Sequence, residues 1–284
     1  MKHIRLAYIS TLSLMSAACS AGGTGPESPA ITQQPSSATT TSAPRSGVAN
    51  QYSAKVEETS PADLSNIVST VMKEQYGDHY DSKHACWEYS FKSGDGRAIE
   101  YCMRPKSYEL VNAPSGKQLY FYATNADDIS DDSRYFYSQS DLGLMGAFKL
   151  GIDAKDEWHL LSYNKAMDYG SGGSCGCDKA RFVRLNNNGD YGWMFDSGGV
   201  WQGTVVLNYS IVAAINGNFK DISSIPEIEE DAQGIKYEIQ IIDGDPGDRL
   251  FPLRVTKLKS GVKDDEFIVK FNEEKNLYVL PGIH

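Results

Sequence analysis

Residues 86–103 read CWEYSFKSGDGRAIEYCM, and this stretch decides the fold class because it has the pattern of an antiparallel hairpin. Aromatic and polar residues alternate on both sides of the turn signal at Ser93-Gly94-Asp95. With a turn there, two residues face each other when their numbers add up to 188. Cys86 then meets Cys102, and the aromatic side chains share one face. The same register sets Glu88 against Glu100, a contact that is unfavourable unless solvent screens it.

Similar short runs, separated by Gly, Asn and Asp, continue to the end of the chain. About ten strands in one chain predict a mainly β fold, built as a sandwich or as barrel-like antiparallel sheets. The last pair flanks residues 272–276 and predicts a terminal hairpin. The predicted strands cover residues 86–92, 97–103, 118–124, 156–163, 180–186, 204–214, 235–242, 250–257, 266–271 and 277–280.

One amphipathic helix is predicted before the strands, over residues 61–75. Ser60 is suited to cap it, Pro61 favours the first helical position, and Asp63 favours the positive end of the helix dipole. Gly77 is available as the C-terminal cap. The apolar stripe that must dock on the β layer consists of Leu64, Ile67, Val68, Val71 and Met72.

The chain has five cysteines, and four of them lie in the predicted domain. Four cysteines allow three disulfide pairings, and the hairpin register favours Cys86 with Cys102. Cys175 and Cys177 are separated by one glycine. A disulfide between them closes a small ring, which indicates either a thiol-disulfide exchange site or a structural staple on a glycine-rich loop. Two bonds reaching back to Cys86 and Cys102 are the other alternative. Exchange sites usually have the form Cys-x-x-Cys at the start of a helix, and no helical pattern follows here.

The N-terminus has the features of an export signal. Lys2 and Arg5 precede an apolar run that ends at Ala18, and this run is too short to be a stable transmembrane helix. The stretch Leu14-Met15-Ser16-Ala17-Ala18-Cys19 resembles the lipobox of bacterial lipoproteins. The resemblance implies diacylation of Cys19 and, with Ser20 next to it, sorting to the outer membrane. Ordinary cleavage after Ala18, with Cys19 left as a free thiol, is the alternative.

A flexible tether is predicted behind the anchor. Residues 19–55 are rich in Ser, Thr, Ala, Pro and Gly, and they have too few large apolar residues to offset the entropy of ordering them. The predicted organisation is therefore a signal peptide over residues 1–18, an anchor with linker over 19–55, and a single β-rich domain over 56–284. Within that domain, three segments are similar to segments of uncharacterised exported bacterial proteins: residues 119–124, 146–148 and 189–193. This resemblance gives no information about activity.

The charge excludes one class of partner. The formal net charge is −10, and removal of the signal peptide takes away Lys2 and Arg5 but no acidic residue. An acidic surface repels phosphate backbones, so we predict no nucleic-acid partner. Membrane contact is expected to come from the lipid anchor.

The residues that could contact a sugar or a metal ion can each be explained by ordinary packing or turn structure. Core packing is the default interpretation of aromatic residues in a β domain, and stacking on a sugar ring is the second interpretation for Trp193 and Trp201, together with Tyr191. We predict no metal or cofactor. Two oxygen-rich loops have calcium as a second interpretation, although turn chemistry explains both. The residues concerned are Asn186, Asn188 and Asp190 in the first loop, and Asp243, Asp245 and Asp248 in the second.

No complete catalytic constellation is visible in the sequence. The leading hypothesis is a non-enzymatic envelope lipoprotein whose tethered domain binds an envelope protein or glycan. The alternative is an envelope enzyme. It would be either a thiol-disulfide exchanger at Cys175 and Cys177 or a hydrolase whose residues meet only in the fold.

Overall fold

The computed structural model of the protein describes residues 60–94, 96–129, 131–201, 203–228 and 234–282. For Trp201 only the backbone is described. The predicted signal peptide, the linker and the anchor at Cys19 lie outside these ranges. The described residues all belong to one compact unit.

The helix α1 runs over Pro61–Tyr76, and its ends are capped as predicted. Ser60 Oγ accepts a hydrogen bond from the Asp63 backbone nitrogen, and the Asp63 carboxylate accepts one from the Ser60 nitrogen. This reciprocal pair satisfies two backbone donors at the helix start. At the other end the Gly77 nitrogen donates to the Lys73 carbonyl. The whole predicted apolar stripe is buried, which confirms the helix.

The first sheet has six strands in the sequential order β1-β2-β3-β4-β5-β6, all paired antiparallel. Each strand therefore neighbours the one before it in sequence. Their bounds are β1 Tyr80–Asp81, β2 Cys86–Lys92, β3 Ala98–Ala113, β4 Gly116–Asn125, β5 Gly143–Ile152 and β6 Trp158–Tyr169.

The second sheet has the order β14-β13-β12-β11-β9-β8-β7, with β10 paired to β9, and a separate two-stranded ribbon joins β15 to β16. The strands of the second sheet are also paired antiparallel. Their bounds are β7 Arg181–Arg184, β8 Tyr191–Trp201, β9 Thr204–Ile215, β10 Asn218–Asp221, β11 Ile225–Ile228, β12 Ile235–Ile241, β13 Leu253–Lys259, β14 Val262–Val269, β15 Phe271–Asn272 and β16 Leu277–Tyr278.

The middle of the first sheet, strands β4 and β5, is buried on both faces, and this arrangement holds the fold together. On one face, residues such as Phe121 and Phe148 pack with the apolar stripe of α1. On the other face, Tyr120 and Met145 share a core with Trp193 of the second sheet. The mainly β prediction, with packed antiparallel sheets and one N-terminal helix, is confirmed.

Two long strands, β5 and β8, were not among the predicted strands. Nine of the ten residues of β5 are buried, so the strand lacks the alternation that a half-exposed strand shows. Glycines also interrupt both strands. Gly146 is required in β5, because a Cβ there would lie 2.1 Å from the Tyr76 hydroxyl of the packed helix.

The register of the β2–β3 hairpin differs from the predicted one by two residues. Glu88 pairs with Cys102 and Ser90 with Glu100, so facing numbers sum to 190 rather than 188. The reason is that the turn lies one residue further along the chain than predicted: Ser93 faces Arg97, and its nitrogen donates to the Arg97 carbonyl at 2.9 Å. A shift of two keeps every side chain on its predicted face. It also separates Glu88 from Glu100.

The C-terminal hairpin is shorter than predicted. Phe271 pairs with Tyr278, as a turn over residues 273–276 requires. However, residues 267–269 belong to β14 and pair with β13 instead. The predicted strand over 266–271 was therefore wrong as a single element.

Candidate ligand-binding site

An open groove of about 640 Å³ lies between α1 and the start of the first sheet. We call it the aromatic groove. Its wall on the helix side is a polar stripe at the spacing i, i+3, i+4 and i+7, which places four side chains on one helix face. The residues that line it are Asn66, Ser69, Thr70, Lys73, Asp78, Tyr80 and Trp87.

Two aromatic rings form the opposite wall of the aromatic groove. The β1–β2 pairing sets Tyr80 directly across from Trp87, and their ring centroids are 4.8 Å apart at an interplanar angle of 63°. Half of the Tyr80 surface is exposed. Trp87 is partly buried because it also packs against the α1 core. Exposed aromatic surface of this kind is a feature of binding sites.

The aromatic groove carries little net charge. Lys73 Nζ lies 3.0 Å from Asp78 Oδ1, and both side chains are largely exposed. Thr70 Oγ1 donates to the Asn66 carbonyl and keeps its lone pairs free to accept. The groove therefore offers ring faces, a side-chain amide, hydroxyls and an ion pair of two opposite charges.

Behind the aromatic groove, the guanidinium group of Arg134 ties β1 to the rest of the sheet. Arg134 Nη2 lies 2.8 Å from Asp81 Oδ2 and 2.9 Å from Asp132 Oδ2, and Arg134 Nη1 contacts Glu88. The hydrogen bonds from Arg134 hold the pKa of Asp132 well below its usual range. Burial alone would raise the pKa of Asp81, but hydrogen bonds from Arg134 and from nearby backbone nitrogens lower it. Asp81 adjoins Tyr80, so this network helps to position the aromatic wall.

The same cluster brings one histidine close to two carboxylates. His84 Nε2 lies 3.2 Å from Asp132 Oδ2, and ligand atoms of Asp81, His84 and Asp132 are all within 4.8 Å of one another. The positive charge that a metal ion would supply comes from Arg134. The neighbouring Cys86 is bonded to Cys102, so it is no free thiol nucleophile. The arrangement is an ion-pair network centred on Arg134.

Both predicted disulfides are present. Cys86 is joined to Cys102, and Cys175 to Cys177. Cys175 is 3% exposed and Cys177 is fully buried. Thiol exchange needs an accessible sulfur, so the structure favours the staple over the exchange site. A cleft of about 350 Å³ lies beside this loop, and neither cysteine lines it.

The predicted aromatic ligand residues lie elsewhere. Trp193 is 2% exposed and packs against Tyr122 and Phe219 with ring centroids 5.6 and 5.5 Å away. It cannot present a ring face to a sugar, so the stacking interpretation was wrong for this residue. Tyr191 stacks on Phe182 at 5.0 Å, with the rings almost parallel. Trp201 is the last residue of β8, and its side chain lies outside the described part.

Turn chemistry accounts for both loops that had calcium as a second interpretation. Asn186 Oδ1 accepts from the backbone nitrogens of Asn188 and Asp190, and its amide donates to Asp190 Oδ2. In the other loop, Asp248 Oδ2 accepts from the Asp245 nitrogen. The side chains already have cationic partners, since Lys149 contacts Asp190 and Lys270 contacts both Asp245 and Asp248. The Asp243 carboxylate takes part in none of these contacts.

No family model, no curated protein and no solved structure matches this chain. Within the described ranges, no helix has the length and hydrophobicity that crossing a membrane requires.

Sequence reasoning missed Tyr80 and Trp87 as possible ligand contacts. The predicted hairpin places Trp87 among the aromatic residues that share one face, and Tyr80 lies outside every predicted strand. One signal was available, since His79-Tyr80-Asp81 precedes the hairpin by only a few residues and could have been tested as a third strand. The polar helix stripe could not be assigned to a site until the helix was docked.

Proposed function

We propose that the protein is a lipid-anchored bacterial envelope protein whose domain binds a glycan in the aromatic groove without transforming it. The observation that carries this proposal is the Tyr80–Trp87 pair, with half of Tyr80 exposed, facing a polar helix stripe. Aromatic faces bind the C–H surfaces of sugars, and side-chain amides and hydroxyls exchange hydrogen bonds with sugar hydroxyls.

A glycan fits this groove better than a protein segment does. A protein segment is usually anchored by burying an apolar side chain in a pocket, whereas the helix side of this groove is polar along its whole stripe. The Lys73–Asp78 ion pair leaves no uncompensated charge for an acidic or basic peptide. The open shape admits an extended chain.

The arrangement favours binding over catalysis. The residues that line the groove include no histidine and no cysteine, and its one carboxylate is paired with Lys73. General acid–base work on a glycosidic bond commonly needs two facing carboxyl groups. The enzyme alternatives consequently have less support than the binding module.

The glycan proposal predicts that Tyr80→Ala weakens binding at least tenfold, about 1.4 kcal/mol, because it removes the more exposed ring. The measurement is co-sedimentation of the purified protein with insoluble peptidoglycan, cellulose and chitin as probes. Trp87→Phe, which keeps an apolar ring in the core, should weaken binding less. Binding should change little between 50 and 500 mM salt, because no net charge is used.

Phe136→Ala is the matched control, since Phe136 is an exposed aromatic residue that does not line the groove. It should bind as the unaltered protein does. The proposal is contradicted if the protein binds none of the three polysaccharides, or if Tyr80→Ala binds as tightly as the unaltered protein.

The anchor is proposed from the lipobox-like segment ending at Cys19. Cys19→Ala should abolish acyl labelling and move the protein from the membrane fraction to the soluble fraction, because the thiol is the acylated group. Metabolic labelling with a palmitate analogue, followed by fractionation, measures both effects. A variant that keeps its label and its membrane association would disprove lipidation at this residue.

A further inference from the structure

A second cleft, of about 350 Å³, lies beside the Cys175–Cys177 loop and shares none of its described lining residues with the aromatic groove. We call it the charged cleft, because Asp, Lys and Arg make up half of its lining. Its volume is in the range of small-molecule sites. The residues that line it are Ser174, Gly176, Asp178, Lys179, Arg181, Met194, Phe195 and Asp196.

Covalent and backbone contacts hold the walls of the charged cleft. The disulfide between Cys175 and Cys177 closes the loop, and a short 3-10 turn begins at Cys177. Gly176 packs directly on β8, where an added Cβ would lie 2.4 Å from the Asp196 carbonyl oxygen. The cleft is therefore formed before any ligand arrives, which lowers the entropic cost of binding.

Three side chains of the charged cleft lie on one face of the second sheet. Arg181 is directly opposite Met194 in the β7–β8 pairing, and Asp196 follows Met194 by two residues along a regular strand. Side chains alternate along a strand, so Arg181, Met194 and Asp196 point to the same face. Met194 is buried and supplies apolar surface beside the two charged groups.

The charges of the cleft do not cancel one another. Lys106 Nζ lies 2.6 Å from Asp178 Oδ1, so the Asp178 carboxylate has a cationic partner. In the part of the chain that the structure describes, Lys179, Arg181 and Asp196 form no ion pair. Two cations and one carboxylate therefore face the cleft with their hydrogen-bonding capacity open to a ligand.

The surroundings of the Asp196 carboxylate favour a cation beside it. Partial burial and the nearby Glu227 carboxylate raise the pKa of Asp196, against the opposing effect of the positive charges on Lys236, Arg181 and Lys179. Burial and like charge both disfavour an unpaired carboxylate. An ammonium group placed next to Asp196 would relieve both effects.

We propose that the charged cleft binds an acidic amino acid such as glutamate, with the ammonium group at Asp196 and the two carboxylates at Lys179 and Arg181. The two negative charges and one positive charge of this ligand are the complement of the three unpaired charges of the cleft. Inorganic phosphate or a plain dicarboxylate would leave Asp196 facing another anion. A neutral amino acid would leave one cation without a carboxylate.

The test is isothermal titration calorimetry of the full-length protein with glutamate, glutamine and glutarate. Glutamine lacks the side-chain carboxylate, and glutarate lacks the ammonium group. We expect each of these two compounds to bind at least tenfold more weakly than glutamate, because each loses one charge-assisted contact. Unlike glycan binding in the aromatic groove, glutamate binding should weaken as the salt concentration rises.

Asp196→Asn is the decisive variant, because it keeps the size of the side chain and removes its charge. It should weaken glutamate binding at least tenfold but leave glutarate binding unchanged or tighter, since glutarate makes no ammonium contact and is no longer repelled. Arg181→Gln should weaken both compounds. Lys259→Gln is the matched control, since Lys259 is an exposed lysine on β13 that does not line the cleft. It should bind glutamate within twofold of the unaltered protein.

The comparison of the three compounds on the unaltered protein requires no variant to fold, and thermal unfolding checks the fold of each variant. The proposal is overturned if glutamate does not bind, or if glutamine or glutarate binds as tightly as glutamate. It is also overturned if Asp196→Asn weakens glutamate and glutarate equally, because the ammonium contact is then absent. Glutamate binding by Arg181→Gln that equals binding by Lys259→Gln would place the ligand outside the charged cleft.

Discussion

Replacing Gly176 with alanine is expected to lower the free energy of unfolding by about 3 kcal/mol or more. Gly176 has a φ of +73°, and a Cβ there would lie 2.4 Å from the Asp196 carbonyl oxygen. That oxygen belongs to the backbone of β8, which is fixed by pairing with β9. The clash can be relieved only by moving the Cys175–Cys177 loop or the strand. Urea unfolding followed by circular dichroism measures the loss.

The control is Gly172→Ala in the same loop. Gly172 also has a positive φ, +61°, but nothing lies within 4 Å of the added methyl group. Only the conformational cost remains, about 1 kcal/mol. If the two variants lose equal stability, the close approach to Asp196 has no energetic weight and the packing argument is wrong.

Removing the Cys86–Cys102 disulfide by Cys86→Ala with Cys102→Ala should cost about 3 kcal/mol. The bond closes a loop with a sequence separation of 16, and its loss frees the unfolded chain. Both residues are fully buried, so the truncated side chains also leave unfilled space in the core. Cys86 pairs with Asp81 of β1, so the same variant should also weaken the aromatic wall of the groove.

Cys175→Ala with Cys177→Ala is the comparison, because that bond closes a loop with a sequence separation of only two. The chain-entropy argument gives roughly half the effect for so short a loop. Denaturant unfolding of both double variants shows which of them loses more free energy of unfolding. A larger loss at Cys175 and Cys177 would mean that the staple acts through packing between the sheets rather than through loop closure.

Local chemistry was sufficient to predict several elements. The helix was predictable because Ser60, Pro61 and Asp63 act within one turn, and its apolar stripe has a single period. The pairing of Cys86 with Cys102 was also predictable, although the register behind it was wrong by two residues. The two registers place the same side chains on the same faces, so the alternation could not distinguish them. Only the position of the turn distinguishes them.

Other features depended on which helix and sheet surfaces pack together in the folded protein. The sequence by itself determined a mainly β chain with an N-terminal amphipathic helix and an acidic surface, because capping, periodicity and charge are properties of neighbouring residues. The tertiary structure decided that Trp193 is core while Tyr80 is exposed, and it placed a polar helix stripe opposite two rings. Burial is a property of the packed layers, so an aromatic residue gives no sequence signal of whether another sheet will cover it.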